Sequence, residues 1–409
     1  MATVTVQGSF HGDPVSFSFS AAANLQLALQ LANAISAQVA SGKVDVAFSS
    51  DGRAPSTRDE DRAGVFFQNT DGDTSLREGY DSVVNTAGSS TIHGAQGDRQ
   101  LVLSGDGNLT FISEGGSGTI ATGGGNSNIQ IQGGEEDGHA GSWLIATGDG
   151  NDTIRAAGDG NNTIRPGGGH NLITLGGGED FVQLAGQDTV NGSSGRATID
   201  ATGAKSSVIN GGASNITFLG GAGSATIQGG RGSDTVYGGS GTLSVHGGTA
   251  GHNLLYAGTG LATLFGGGTG DRLYAQGGHT QSLVAGAGNE TLSAALSTGN
   301  VSLVGGSGKD WLVGGAGADT FVGGSGAATM QGGSGADIFA FINGSDGGKD
   351  LVLNFDSADK IHLDGYGPNA VANALARQKP SNGSVTITLS DKTEITFAGI
   401  SSLKNSNFI

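Results

Sequence analysis

The sequence predicts an all-β fold, a parallel β-roll or β-solenoid of nonapeptide repeats, with a small α+β N-terminal module and a C-terminal β cap. Three observations carry this expectation. Glycine supplies 80 of the 409 residues and proline only 5, a bias that is neither collagen-like nor that of a Pro-rich linker. A nine-residue phrase recurs between about residues 86 and 342. Its eighth place is aliphatic or aromatic almost throughout, as at Ile154, Ile164, Val182, Ile199, Val236, Leu255, Leu273, Leu292, Leu312 and Phe339.

The phrase reads G-G-x-G-x-D-x-U-x, with U a large apolar residue. It is plainest in GGRGSDTVY at 229–237 and in four successive copies at 305–340, and it is looser in TGDGNDTIR at 147, AGDGNNTIR at 157 and GGAGSATIQ at 220. Glycines suit a tight turn because a side chain penalises positive φ and close backbone approach. The last places then form a short strand whose eighth residue points inward while its neighbours point out. Two phrases make a flattened coil, so equivalent turns should stack at a separation of 18 residues. Threonine is frequent at the seventh place (Thr153, Thr163, Thr235, Thr291, Thr320), where it serves as a good outward β residue.

The remaining segments follow a different grammar. In residues 1–85, TVTVQ and PVSFSFS alternate apolar and polar residues across HGDP and read as a hairpin. AAANLQLALQLANAISAQVA then reads as a helix with two apolar stripes, one with Leu25, Leu29, Ala32, Ile35 and Val39, the other with Leu27 and Leu31. KVDVAFS returns as a strand with Val44, Val46 and Phe48 on one face, and SSDGRAPSTRDEDR at 49–62 reads as a polar loop. Residues 343–409 are expected to form the β cap. TVTVQ and TITLS could each pair with the open edge of a finished coil, within the chain or between chains.

Composition excludes several functions. The net charge is −17 with only 13% charged residues, which argues against nucleic acid or anionic membrane as partner. With no cysteine, disulfides and thiol chemistry are out. No apolar run approaches the ~20 residues of a membrane span, and the first residues lack the basic and apolar regions of a secretory signal, so any export address should lie elsewhere. H-E-x-x-H, G-x-S-x-G and G-K-[ST] are missing, so no enzyme is expected. Were a polysaccharide-modifying site present, Asp271 and Arg272, near His279, would be the place to look.

The nonapeptides at 229–237 and 305–340 resemble the hemolysin-type calcium-binding repeats of RTX proteins. DLVLNFDSADKIHLDGYG, SVTITLSDKTEITFAGISSL and the closing NFI are similar to the C-terminal region by which such proteins are recognised for type I secretion. The resemblance implies an extracellular or cell-surface location. It also implies Ca²⁺ held by turn carbonyls and sixth-place Asp residues of consecutive coils, since calcium takes six to eight oxygens. Counting by 18 stacks Asp319 on Asp337 as the best site and sets Asp310 over Ala328. Asp152, Asp180, Asp234 and Asp271 lack an Asp 18 residues away, leaving each either a weak calcium site or a turn capped by its own side chain. The function expected is a secreted structural protein, stabilised by calcium, that self-assembles into a filament, surface layer or biofilm matrix. The alternative is an adhesin-like module binding glycan or another surface. Expected partners are the chain itself and cell-surface polysaccharide, with no nucleic acid and no membrane insertion.

Overall fold

Short strands of apolar-in, polar-out pattern, separated by glycine turns, pair in parallel with the strand one coil away, so the backbone closes its hydrogen bonds between coils. The computed structural model describes residues 1–7, 13–51, 63–95, 99–113, 115–132 and 141–409. His11 and Gly12 of the expected hairpin and residues 52–62 of the expected loop lie outside the described residues, while Ser49–Asp51 form a 3₁₀ turn. The chain divides into two units, Met1–Ser214 and Asn215–Ile409.

In the first unit, sheet A runs from β3 (Val44–Phe48) and β4 (Ala63–Gln68) through Tyr80–Asn85, Gln100–Ser104, Gly118–Ala121, Trp143–Ala146, Thr163–Arg165 and Glu179–Gln183 to Arg196–Ala201. Sheet B runs from Gly72–Ser75 to Ser206–Asn210. The expected boundary after residue 85 falls between two directly paired strands, Tyr80–Asn85 and Gln100–Ser104. In the second unit, sheet C runs from Asn215–Gly220 to Lys349–Leu353. Sheet D runs from Ser224–Gln228 to Lys360–Asp364.

The eighth-place residues form the core as the repeat predicts: Ile154, Ile164, Val236, Leu255, Leu312 and Phe339 are fully buried. Each such side chain contributes about 1.5–3 kcal/mol by leaving water. The coil length departs from a fixed 18. Phe218 opposes Val236 at a step of 18, Val236 opposes Leu255 at 19, Leu292 opposes Leu312 at 20, and Met330 opposes Val352 at 22. The turns absorb the difference, and a β-bulge after Tyr274 pushes Leu296 out to 78% exposure.

The N-terminal module covers a face. β1 (Ala2–Val6) and β2 (Val15–Phe19) form the expected antiparallel hairpin, and α1 spans Leu25–Ala40 behind a 3₁₀ turn at Ala22–Asn24. α1 ends where Gly42, with φ of 66°, reverses the chain. Its buried positions are Ala28, Leu31, Ala32 and Ile35, while Leu29 is exposed, so the two stripes are not divided as the sequence suggested. The helix and hairpin bury Phe67, Val84, Leu103 and Ala121 of sheet A. These residues sit one place past the inward column and face outward, where the later coils carry the exposed Arg165 and Gln183. Val46 is exposed and only Phe48 of β3 is fully buried, which corrects the shared face expected of that strand.

The C-terminal segment closes its coils within the chain. Ser384–Thr388, which includes most of TITLS, pairs antiparallel with Glu394–Phe397, and the latter adds in parallel to Lys349–Leu353. Phe408 bridges Ile361, and Ile409 N–H donates to Ile361 O at 3.1 Å. A relay of rings from Phe321 through Phe339 and Phe355 to Phe397 carries the core into this cap. TVTVQ likewise pairs with β2 and not with a coil edge.

Candidate metal centres

Where the sixth place is Asp, Asn or Glu, its side chain binds the turn to the adjacent coil. On the sheet C side the column reads Ile216, Asp234, Asn253, Asp271, Glu290, Asp310, Ala328, Asp350. Along it, Ile216 N–H donates to Asp234 Oδ1 (3.0 Å), Asp234 N–H to Asn253 Oδ1 (2.8 Å), Asn253 N–H to Asp271 Oδ1 (2.7 Å), Glu290 N–H to Asp310 Oδ1 (2.9 Å) and Ala328 N–H to Asp350 Oδ1 (2.8 Å). On the sheet D side, Val301, Asp319 and Asp337 donate their amides in turn to Asp319, Asp337 and Asp359, at 2.8, 2.9 and 3.0 Å. In the first unit, Asn162 donates to Asp180, and Asp152 both accepts from Ser127 and donates to Asn171 Oδ1. Asn can stand in for Asp here because one carbonyl oxygen suffices for the inter-coil bond. Ala328 offers no such acceptor.

The structure therefore brings Asp319 and Asp337 together, with Asp359 continuing the column, and it places Asp310 opposite Ala328 as counted. It also overturns the isolation of Asp271. That residue stacks at a step of 19 on Glu290, which stacks at a step of 20 on Asp310, so three acidic sixth places follow one another. Asp234 joins them through Asn253. Asp152 and Asp180 are each joined to an asparagine, Asn171 and Asn162. The fixed count of 18 missed Glu290, Asp350, Asp359 and Asp188. Counting back two residues from the buried eighth places Leu292, Val352, Ile361 and Val190 would have found all four.

The second carboxylate oxygens divide these residues. Asp310 and Asp319 use theirs to accept Gly306 N–H (2.9 Å) and Gly315 N–H (2.7 Å) of their own turns. Asp152, Asp234, Asp271 and Asp350 each keep a buried Oδ2 without a hydrogen bond, as Glu290 keeps its Oε2. Burial pushes Asp152 up to about 6 and Asp350 to about 7. Asp337 rises to about 6 through burial and the charges of Asp359 and Asp319. Glu290 goes furthest, to about 8, through burial and then the hydrogen bond and charge of Asp310. Burial also raises Asp180, Asp234, Asp271 and Asp319. A buried carboxylate with one oxygen left unbonded is costly as an anion. A divalent cation would supply the missing partner.

The turn backbone supplies further oxygens. A methyl group at Gly306 would lie 1.8 Å from Gly286 O, and one at Gly308, whose φ is 134°, would lie 1.6 Å from Gly288 O. Only glycine lets successive turns stack so closely. Among the described residues no three His, Cys, Asp or Glu side chains converge on one point, so a calcium ion here would draw on turn carbonyls as well as one or two carboxylates.

The model of the RTX calcium-binding nonapeptide repeat matches four segments of the chain, residues 147–182, 217–242, 247–281 and 304–339. The chain thus carries four segments of the RTX nonapeptide repeat. Its repeat family binds calcium ions, and RTX repeat proteins are generally secreted. No curated protein matches the chain. The RTX match passes over 282–303, yet that coil keeps the same pairing and carries Glu290 between Asp271 and Asp310.

No enzyme family is found. Asp271 and Arg272 do not form a site: the aspartate is buried and bonded to Asn253, while Arg272 is exposed on the outer face of sheet C. Among the described residues no helix is long and apolar enough to cross a membrane.

Proposed function

We propose that this RTX chain is an extracellular structural protein, exported by type I secretion, that assembles with itself into a filament, surface layer or matrix once calcium has locked its coils. The observation carrying the reading is where the described residues are spent. Nearly all of them from β3 onward build coils or their C-terminal closure, and the module ahead of β3 lies on sheet A instead of forming a separate catalytic body. The coils are the working material. Because the coil edges in the second unit are closed by Glu394–Phe397 and Phe408, contacts between copies would use faces or the N-terminal end.

Electron microscopy and light scattering of the purified chain with and without millimolar Ca²⁺ test the proposal, alongside a chain lacking residues 1–48. Calcium-dependent growth in particle size is the expected result. A parent that stays monomeric at every protein and calcium concentration overturns it.

A further inference from the structure

The outer face of sheet C has a composition that the coil architecture does not require. Two outward rows run across its strands. One reads Thr217, Thr235, Leu254, Arg272, Thr291, Trp311, Thr329, Leu351, and the other Leu219, Tyr237, Tyr256, Tyr274, Ser293, Val313, Gln331, Leu353. Although the chain has 36 acidic residues against 19 Lys and Arg, these rows hold no carboxylate, and their one charge is the Arg272 guanidinium. The neighbouring acids Asp271, Glu290 and Asp310 are turned inward and buried. Lys309, also exposed, precedes Trp311 by two residues and adds a second cation at the rim.

The aromatic residues are arranged as a platform. Tyr237, Tyr256 and Tyr274 stack face to face, with centroids 5.2 and 4.8 Å apart. The ladder stops at Tyr274 because its next neighbour is Ser293, so one face of that ring has no aromatic cover. Trp311, 46% exposed, stands between Thr291 and Thr329, small neighbours that leave its indole open. Between Tyr274 and Trp311 lies one coil that contributes the hydroxyls of Thr291 and Ser293 to these two rows, with the exposed Leu296 further along the same strand. Ring faces above a hydroxyl floor suit a sugar, whose apolar C–H face stacks and whose rim hydrogen-bonds. The coil repeat of about 4.8 Å is close to the rise of one unit in an extended polysaccharide, so the rows can meet successive sugars in register.

We propose that this face binds an extended acidic polysaccharide, with uronate-type carboxylates taken by Arg272 and sugar rings by Tyr274 and Trp311. Guanidinium recognises carboxylate through two parallel N–H bonds, and rows free of carboxylates in an acidic chain are where an anionic polymer meets least repulsion. The inference goes beyond the structural role above and does not depend on self-assembly.

The two tryptophans make the test direct, since Trp143 is buried at 1% exposure and Trp311 is the solvent-facing reporter. The full chain at fixed millimolar Ca²⁺ is titrated with oligogalacturonate and, separately, with a neutral gluco-oligosaccharide of equal length, following tryptophan emission. Saturable binding is expected for the oligouronate, with at least tenfold weaker binding to the neutral sugar. Arg272→Ala and Tyr274→Ala should each weaken oligouronate binding roughly tenfold, with Arg272→Lys recovering part of the loss. Thr263→Ala on sheet D should leave it unchanged, and circular dichroism should show every variant folded. Failure of the parent to bind the oligouronate, equal binding by folded Arg272→Ala, or a preference for the neutral sugar would each overturn the proposal. So would a finding that Arg272→Ala and Tyr274→Ala abolish self-association while oligouronate binding persists, because the face would then join copies of the chain.

Discussion

At the residue scale, sixth-place Asp, Asn and Glu are first of all register pins, each receiving a backbone amide from the adjacent coil. This explains how the repeat survives Ala328: the coil loses one acceptor and keeps its core residue Met330. What separates acid from amide is the second oxygen, and there the pH dependence arises. A carboxyl whose folded pKa is raised contributes stability that is complete below its unfolded pKa and is lost as pH rises through the folded one. With Asp152 and Asp337 at about 6, Asp350 at about 7 and Glu290 at about 8, the calcium-free protein should lose thermal stability progressively from pH 5 to pH 8. Saturating Ca²⁺ should remove most of that loss. Melting curves by circular dichroism at both pH values, with EGTA or Ca²⁺, check this, and a flat calcium-free profile would contradict it. Glu290→Gln should raise calcium-free stability at pH 8 while lowering calcium affinity, measured by calorimetry. Gly308→Ala should open the coil around it even with calcium present, because the added methyl meets Gly288 O, and hydrogen exchange across 282–312 would report the loss.

At the element scale, the sequence shows the inward column, the hairpin and the helix, because each depends on local periodicity. Register between coils was not legible by counting, since turn length varies while strand pairing is set by which buried residues match. Hence Asp271 appears isolated in a strict count of 18 and contiguous with Glu290 in the fold. The covering of sheet A had a readable signal: Phe67, Val84 and Leu103 are large and apolar at places that later coils give to Arg165 and Gln183. Only a partner on that face accounts for them. The module is held polar-side by Asp106, whose Oδ1 accepts Ser20 N–H, Ser20 O–H and Gly124 N–H, each at 2.8 Å. Those bonds draw the Asp106 pKa below its ordinary value against the effect of burial. Ile35→Ala, at a fully buried site, should cost about 2–5 kcal/mol of local stability, and Asp106→Ala should raise hydrogen exchange in α1 while leaving the second unit unchanged. Unaltered exchange in α1 for both variants would show that the covering is not held as described.

At the scale of the whole molecule, acidic sixth places are unevenly distributed. Residues 190–230 have Ala197, Ser207, Ile216 and Ala225 in these columns, whereas the stretch from Asp234 to Asp359 holds most of the carboxylates. Each coil leans only on its neighbours, so ligand-linked stability should be local. Adding Ca²⁺ should raise hydrogen-exchange protection most in coils bearing Asp271, Glu290, Asp319 and Asp337, and least across 190–230. Asp319→Ala with Asp337→Ala should reduce bound calcium and loosen the coils nearest the C-terminal cap. If calcium protected 190–230 first, the reading of these columns would fall.

The unequal coil steps of 18, 19, 20 and 22 residues have one more consequence. A chain of near-identical phrases risks folding out of frame, since a slip of one phrase still sets glycine on glycine and aliphatic on aliphatic. Identical coils would make the error almost free of penalty, with many near-degenerate minima. Turns of different length act as a vernier instead: a shifted frame matches at one coil and fails at the next, where surplus turn residues have nowhere to go. Irregularity is thus what gives a monotonous sequence a single reading frame in space.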